Sequence, residues 1–542
     1  MTHQKQNIVL FIVSIILATV IMLPRLLSPQ FGLFDDGAML NEVRGILNGN
    51  YQLAHDLQAG RFRPFYWLYF SIIFSFFGAN PFWFFFGHYI ILVLLVFVFG
   101  LVLKTKNFSN IETLLIILFF VLSTPIIENF YTLSKGEPLQ LLLVMSSYYF
   151  YETGQRITKI LFRFILFIAS SLFILGGLMV KETTITLLPI FIVNTCILFV
   201  FKRYSTENQR ESAIIYLFCI TFSIVLYMLI RNYWGAPSLT DGTYTNMYMI
   251  SFTSIFVSIT RWATLLTHYF LYILPISIYF FICFYTKKMK LISNDFRLLE
   301  ISIWSFFWLA ILFPWEHAKA YYLLPFSLGT SIILGYSLFL NFRDKNLTKI
   351  HKLINIVLIS ITIFFFIITL PNYYTLGRTQ LLYDEINNSL LMHIVNEVPK
   401  NSHLYHNIQN ENEYIENIDL FLRNEYGRSD LVFNSVSLNN TLNNSQKIET
   451  FIVVPLIKNQ PRLQVRAGII EETQNAWNDQ LFSNLSSKLL YKYAFVDSFH
   501  ITNINLPVLL CSAIGKRGFC ENPDPLIDTR IFQYGWEIYQ IQ

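Results

Sequence analysis

Residues 81–103 read PFWFFFGHYIILVLLVFVFGLVL, 23 positions without one Asp, Glu, Lys or Arg. A helix of that length rises about 34 Å, enough to cross the roughly 30 Å hydrocarbon layer of a bilayer. Runs of the same kind recur in both directions from it. Residues 8–23 form a first one behind a short tail carrying Lys5. No small-x-small cleavage site follows, so it reads as a retained span, not a removed leader. Downstream come 111–127, 138–152, 162–180, 183–201, 213–230, 262–285, 299–314, 321–341 and 353–370. The shorter runs would extend into neighbouring polar residues or pack inside a bundle. Over the whole chain of 542 residues only 13% are charged, against roughly 25% in soluble domains. A soluble fold could not hide so much apolar surface. The chain is expected to be an all-α polytopic membrane bundle of about 11 transmembrane helices plus juxtamembrane helices.

The run 65–77 is too short to span. It begins directly after Pro64 and ends at Gly78, and so reads as a helix lying in the interface or half-entering the membrane. Leaving it out gives eleven spans, which the basic residues support. With a cytoplasmic N-terminus, the inner loops carry Lys104 and Lys106, Arg156 and Lys159, Lys202, Arg203 and Arg210, Lys287, Lys288, Lys290 and Arg297, then Arg343, Lys345, Lys349 and Lys352. Short outer loops carry one or two each, as the positive-inside rule requires. Localisation in a plasma (inner) membrane follows as an expectation. The net charge of +5 is topology information in this reading, and basic residues scattered singly argue against a nucleic-acid partner.

Composition changes at Pro371. Residues 1–370 hold the apolar runs, with a long first outer loop at 28–80; residues 371–542 are rich in Asn, Ser, Glu and Gln. Helix-like stretches at 383–397, 412–426 and 474–489 alternate there with β-branched or aromatic runs at 403–408, 430–434, 450–455, 491–497 and 531–540. The pattern predicts a small α/β domain, extracytoplasmic by parity. Cys196, Cys219 and Cys283 fall in apolar runs and read as small buried hydrophobes. Cys511 and Cys520 could pair only in an oxidising compartment, and nothing local fixes their geometry. Asn-x-Ser/Thr triplets at Asn439 and Asn484 are expected by chance in so Asn-rich a chain.

Charge beside hydrocarbon is costly, so boundary charges are where function is sought first. Five groups stand out: Asp35 and Asp36; Arg61 and Arg63; Lys135 and Glu137; Lys181 and Glu182; and Glu316, His317 and Lys319, the last followed by Tyr321. In the eleven-span topology all five fall on the outer face. The inner ends, mostly Lys and Arg, show no comparable mixture of acid and base. One extracytoplasmic cleft fed by several segments is expected. Each group has a plainer explanation. Asp36 could simply cap the amphipathic helix whose apolar face is Met39, Leu40, Val43, Ile46 and Leu47. Arg61 and Arg63 could be interfacial anchors. SKGEP at 134–138 could be a tight turn, and Lys181–Glu182 a structural ion pair. The chemical alternative is a carboxylate acting as general base on a hydroxyl, with cations stabilising a departing phosphate. Outside the cytoplasm an activated lipid would have to supply that phosphate. No Walker, Gly-rich or His/Cys metal motif is present to suggest a nucleotide-driven pump or a zinc enzyme. Asp35 and Asp36 could share a divalent metal, but two adjacent carboxylates are not a coordination set.

The order of these motifs resembles the GT-C superfamily of membrane glycosyltransferases, in particular the branch of protein O-mannosyltransferases and the lipid A aminoarabinose transferase. The resemblance lies in FDDGAMLNEVRGILNGNY (34–51), GRFRPFYWLYF (60–70), FFGANPFW (76–83), VKET (180–183) and EHAKAYYLLP (316–325), within residues 1–370. It implies an inverting glycosyltransferase moving a sugar from a polyprenyl-phosphate donor to a hydroxyl of a cell-envelope glycan, lipid or protein. By the same resemblance Asp35 is the catalytic base and Asp36 supports acceptor or donor placement. Lys181, with Arg61 or Arg63, binds the carrier phosphate, and Glu137, Lys135, Glu182, Glu316, His317, Lys319 and Tyr321 are substrate-binding candidates. Asp36 departs from the closest relatives, where Glu is usual. The alternative is a lipid-linked glycan flippase or another transporter, which should place ionisable groups at the midplane on broken, repeated helices. No repeat is visible.

Overall fold

The structure is a computed structural model. It describes residues 3–33, 35–49, 61–157, 159–200, 206–234, 252–278, 296–315, 319–343, 349–406, 412–435, 449–458, 487–502 and 527–541. The N-terminal part is a helical bundle: α1 (His3–Leu27), α2 (Asp36–Leu47), α3 (Pro64–Phe77), α4 (Pro81–Thr105), α5 (Asn110–Val121), α6 (Thr124–Phe130), α7 (Glu137–Gly154), α8 (Ile160–Val180), α9 (Leu187–Val200), α10 (Glu207–Tyr233), α11 (Phe252–Phe270), α12 (Phe296–Ala310) and α13 (Leu324–Arg343). Short 3-10 turns precede α9 (Glu182–Thr186) and α13 (Ala320–Leu323). The helix α14 (Lys349–Glu397) then leads to the α/β part.

Among the described residues, seven helices are long and apolar enough to cross a membrane, or eight if the pair α5–α6, bent by 60°, counts as one span. The expected count of eleven is not reached on that measure. Helices α7, α11 and α12 stand where spans at 138–152, 262–285 and 299–314 were expected, but are too short or too polar to qualify. Residues 279–285 lie outside the described residues. The short helix expected over 65–77 is α3.

Several of the spanning helices separate an exposed apolar stripe from a buried one. On α10, Phe218, Phe222, Val225 and Leu229 are exposed at i, i+4, i+7 and i+11, while Tyr216, Ile220, Ser223 and Tyr227 are buried. On α8, Leu161, Ile165, Ile168 and Leu172 form the exposed stripe. An apolar stripe left uncovered is stable only against lipid. Arg25 near the end of α1 meets Phe85 at the start of α4, and Lys181 after α8 meets Glu137 at the start of α7, so α1 and α8 finish at the end where α4 and α7 begin.

Helix α14 runs 49 residues without a break, through Pro371, from the apolar part into the polar part. The composition change therefore falls in mid-helix. Beyond it lie β1 (His403–His406), α15 (Asn412–Asn424), β2 (Val432–Ser435), β3 (Thr450–Lys458), β4 (Ser487–Thr502) and β5 (Ile527–Ile541). They form one five-stranded sheet of order β2-β1-β3-β5-β4. The first three strands are parallel, with Leu404 opposite Phe451, and β5 runs antiparallel to β3 and β4, with Ile538 opposite Val453. The helix expected at 474–489 lies mostly outside the described residues, and its last three positions belong to β4. Cys283, Cys511, Cys520, Asn439 and Asn484 also lie outside them.

The sheet is not a separate ball. One core joins Leu33, Met39, Leu40 and Val43 of the first loop to Trp67 and Phe70 of α3, Tyr383, Ile386 and Leu390 of α14, and Tyr534 and Trp536 of β5. Asn387 of α14 accepts from both Tyr534 Oη (2.8 Å) and Trp536 Nε1 (2.9 Å). The far half of α14 thereby fixes the sheet against the first loop, at the end of the bundle where the charged groups gather.

Candidate functional site

The paired aspartates part company. Asp35 is the residue that caps α2, with φ of 69°, and its side chain makes no capping bond. A non-glycine residue in that left-handed region is uncommon, although Asp and Asn tolerate it best. The turn aims the carboxylate across the cleft, where Oδ2 accepts from Ser134 Oγ (3.1 Å) and Lys135 Nζ (3.2 Å). It remains 38% exposed. Asp36, the first helical residue, turns inward and is 3% exposed. Its Oδ2 accepts from the Gly32 amide at 2.8 Å. Burial pushes the Asp36 carboxyl up to about 8; the Gly32 amide opposes the rise, Asp384 adds to it and Arg25 opposes it. The plain account of Asp36 as the helix cap is therefore corrected: Asp35 holds that position, and neither carboxylate caps.

Arg25 and Asp384 are the partners that sequence reasoning missed. They form a buried ion pair, and Arg25 Nη2 also donates to Gln30 O at 2.9 Å. The guanidinium lies 3.9 Å from the centroid of the Phe85 ring. With Asp36, Ser134, Lys135 and Tyr383 they line one small pocket. Arg25 gave a weak signal, a charge two residues past the first apolar run. Asp384 gave none, since 359 positions separate the pair.

On the other side of the cleft, Lys181 follows α8 in extended conformation (φ −158°) and its Nζ pairs with Glu137 Oε1. Burial pulls the Lys181 ammonium down to about 8; Glu137 opposes the fall, and Arg61 and Arg63 add to it. Lys181 thus feels both guanidinium groups. Glu182 does not pair with Lys181. It accepts from the Phe62 amide (3.0 Å) and Tyr227 Oη (3.4 Å), tying the GRFRP segment to α10. Arg63 packs over the Tyr66 and Trp67 rings at 4.7 and 5.9 Å.

The aromatic pair before α13 joins the two halves. Lys135 Nζ lies 4.7 Å from the Tyr321 ring centroid, and Lys181 Nζ lies 5.8 Å from Tyr321 and 4.4 Å from Tyr322. Such contacts stabilise an ammonium beyond its ion pair. Asn129 Nδ2 donates to Tyr321 O at 2.9 Å and holds the turn. Lys319 caps that 3-10 turn, half-buried. Glu316 and His317 lie outside the described residues. Asp35, Lys135, Glu137, Lys181, Arg61, Arg63 and Tyr321 thus stand at one end of the bundle. No group of three or more His, Cys, Asp or Glu side chains among the described residues could hold a metal ion.

The opposite end departs from expectation. Lys106, just past α4, bridges Glu152 of α7 (2.7 Å) and Glu300 of α12 (2.6 Å), and Tyr148 Oη donates to Glu300. A mixed acid–base cluster exists there too.

A polytopic helical bundle with a carboxylate and several cations at one helix-end cleft, covered by a small sheet, defines a membrane protein with an interfacial site. No family model and no curated protein sequence matches the chain. Its fold is similar to that of the Archaeoglobus fulgidus oligosaccharyltransferase tethered with an acceptor peptide (TM-score 0.48, 10% identity, 77% of this chain and 63% of that one). It is also similar to ArnT from Cupriavidus metallidurans bound to undecaprenyl phosphate (TM-score 0.45, 12% identity, 89% and 96%). The chain spans less than two thirds of the archaeal protein's length. Both neighbours are GT-C glycosyltransferases, the superfamily whose motifs the sequence resembles. At these scores the likeness assigns no activity, which has to come from the chemistry of the cleft.

Proposed function

We propose that the chain is an inverting membrane glycosyltransferase that moves a sugar from a polyprenyl-phosphate donor to a hydroxyl of a cell-envelope glycan, lipid or protein. The supporting observation is a partly exposed carboxylate, Asp35, paired with Lys135, which shares the Tyr321 ring with Lys181, itself within reach of the Arg61 and Arg63 charges. The acceptor hydroxyl gives its proton to Asp35 as its oxygen bonds to the anomeric carbon. The bond from that carbon to the phosphate oxygen breaks, and the electron pair leaves with the phosphate. Lys181 stabilises the developing charge, assisted by Arg61 and Arg63. Lys135 and Ser134 hold the Asp35 carboxylate aimed across the cleft, and one displacement on the face opposite the leaving group inverts the sugar. Asp36 and Lys319 serve as positioning groups, and Glu137 holds Lys181 until phosphate arrives. A flippase is the less favoured reading, since these charges stand at helix ends, away from the midplane where a transporter coordinates its cargo.

The test is mass spectrometry of surface glycans and polyprenyl-phosphate sugars from a deletion strain rescued with wild type or Asp35→Asn. Asn tolerates the left-handed backbone at position 35, so the variant removes charge without disturbing the turn. A lost glycan sugar together with accumulated loaded carrier is expected, reflecting a rate loss on the order of 100-fold or more. Full rescue by Asp35→Asn would remove the assignment.

A further inference from the structure

The bundle holds a second cavity, away from the cleft. Its walls are apolar, among them Met145, Ile190, Phe191, Trp304 and Ile332. Among the side chains that break the pattern, one is unpaired. Asn194 of α9 is 3% exposed, lines the cavity, and neither its Nδ2 nor its Oδ1 has a hydrogen-bond partner. An amide left unpaired within a membrane bundle is costly, because hydrocarbon offers nothing in exchange. A polar group in that position is ordinarily kept for something that binds it.

The polar rim narrows the choice of ligand. Lys106 and Glu300 also line the cavity, and Lys106 bridges Glu300 and Glu152. With Glu300 beside it on the rim and Glu152 behind it, the Lys106 ammonium is already neutralised and offers no charge to a phosphate or carboxylate head. A hydroxyl suits Asn194 fully, since it can donate to Oδ1 and accept from Nδ2 at once. The surrounding walls then call for an alkyl or isoprenoid body. From this combination we infer that the cavity is a binding site for an uncharged, hydroxyl-headed lipid, seated at the end of the bundle opposite the sugar-transfer cleft. The site is independent of the proposed transferase activity: α4 and α7 run from the cleft end to this one, and no residue is shared.

The probe is a long-chain alkanol carrying a diazirine, added to the purified full chain in detergent, photolysed and mapped by peptide mass spectrometry. Saturable labelling of peptides containing Met145 or Asn194, competed by plain alkanol, is expected. Asn194→Leu should lower it at least about ten-fold, and the matching alkyl phosphate should label at least about ten-fold less. Ile332→Phe, which fills the cavity and keeps the amide, should also abolish labelling and decides the matter if Asn194→Leu does not fold. Unsaturable labelling, equal labelling by the phosphate, or labelling indifferent to either variant would overturn the proposal, leaving water as the partner of Asn194.

Discussion

Asp35 and Asp36 are adjacent in sequence and opposite in environment, which gives them separable consequences. Asp35 faces the cleft and a lysine; Asp36 faces an amide, a second carboxylate and the protein interior. The folded chain holds the Asp36 proton up to about pH 8, whereas the unfolded chain releases it near 3.8. Between those values the unfolded state binds fewer protons than the folded one, so stability falls as pH rises through the window and levels off above it. In wild type the apparent melting temperature in detergent should therefore decline from about pH 4 to about pH 8. Asp36→Asn keeps an oxygen for the Gly32 amide and has no proton to lose. Its melting curve should be flatter over the same range and lie a few degrees above wild type at pH 8. A variant that tracks wild type at every pH would show that Asp36 is ionised in the folded protein.

At the scale of elements, the contact between α2 and α15 makes the cleft depend on the α/β part. The Ala38 amide donates to Asn417 Oδ1 at 2.9 Å, and Arg44 pairs with Glu425. A Cβ at Gly37 would sit 2.8 Å from Asn417 Oδ1 and 3.2 Å from the Phe421 ring. Gly37→Ala should force the two helices apart at a cost of about 1–3 kcal/mol. Hydrogen exchange should rise in both α2 and α15, and transfer should slow although no substrate-facing group has changed. Unchanged exchange in α15 would mean that the interface yields elsewhere. The helices were legible in sequence because their apolar runs are long, and the five strands because their β-branched and aromatic runs are bounded by polar ones. The continuity of α14 was not legible. Pro371 coincides with the change in composition, and a proline that merely drops one backbone hydrogen bond inside a long helix reads the same as a boundary. Nor was the second charged cluster, since Glu152 and Glu300 lie on two different helices and Lys106 just past a third, and a loop's basic residues carry only its sign. The cleft residues were found because charge stands out against hydrocarbon, while Arg25 and Asp384 meet only through tertiary packing.

The whole molecule has two unlike ends, and which of them faces out decides whether the proposed chemistry is reachable. Among the described residues, Lys104, Lys106, Arg156 and Lys159 lie at the end where α4 and α7 finish, and the sheet lies over the other. If the positive-inside rule orients this chain, the N-terminus is cytoplasmic and both the cleft and the sheet are outside. Chain direction supplies the test, because α10 begins at the basic end and reaches the cleft at Tyr227. A cysteine replacing Arg423, exposed on α15, should react with a membrane-impermeant maleimide in intact spheroplasts. One replacing Asn208, exposed in the first turn of α10, should react only after permeabilisation. Both variants are compared in a background with the five native cysteines changed to serine or alanine. The reverse pattern would put the cleft in the cytoplasm. Soluble nucleotide sugars would then be available to it, and the case for a lipid-carried donor would lose its physical reason.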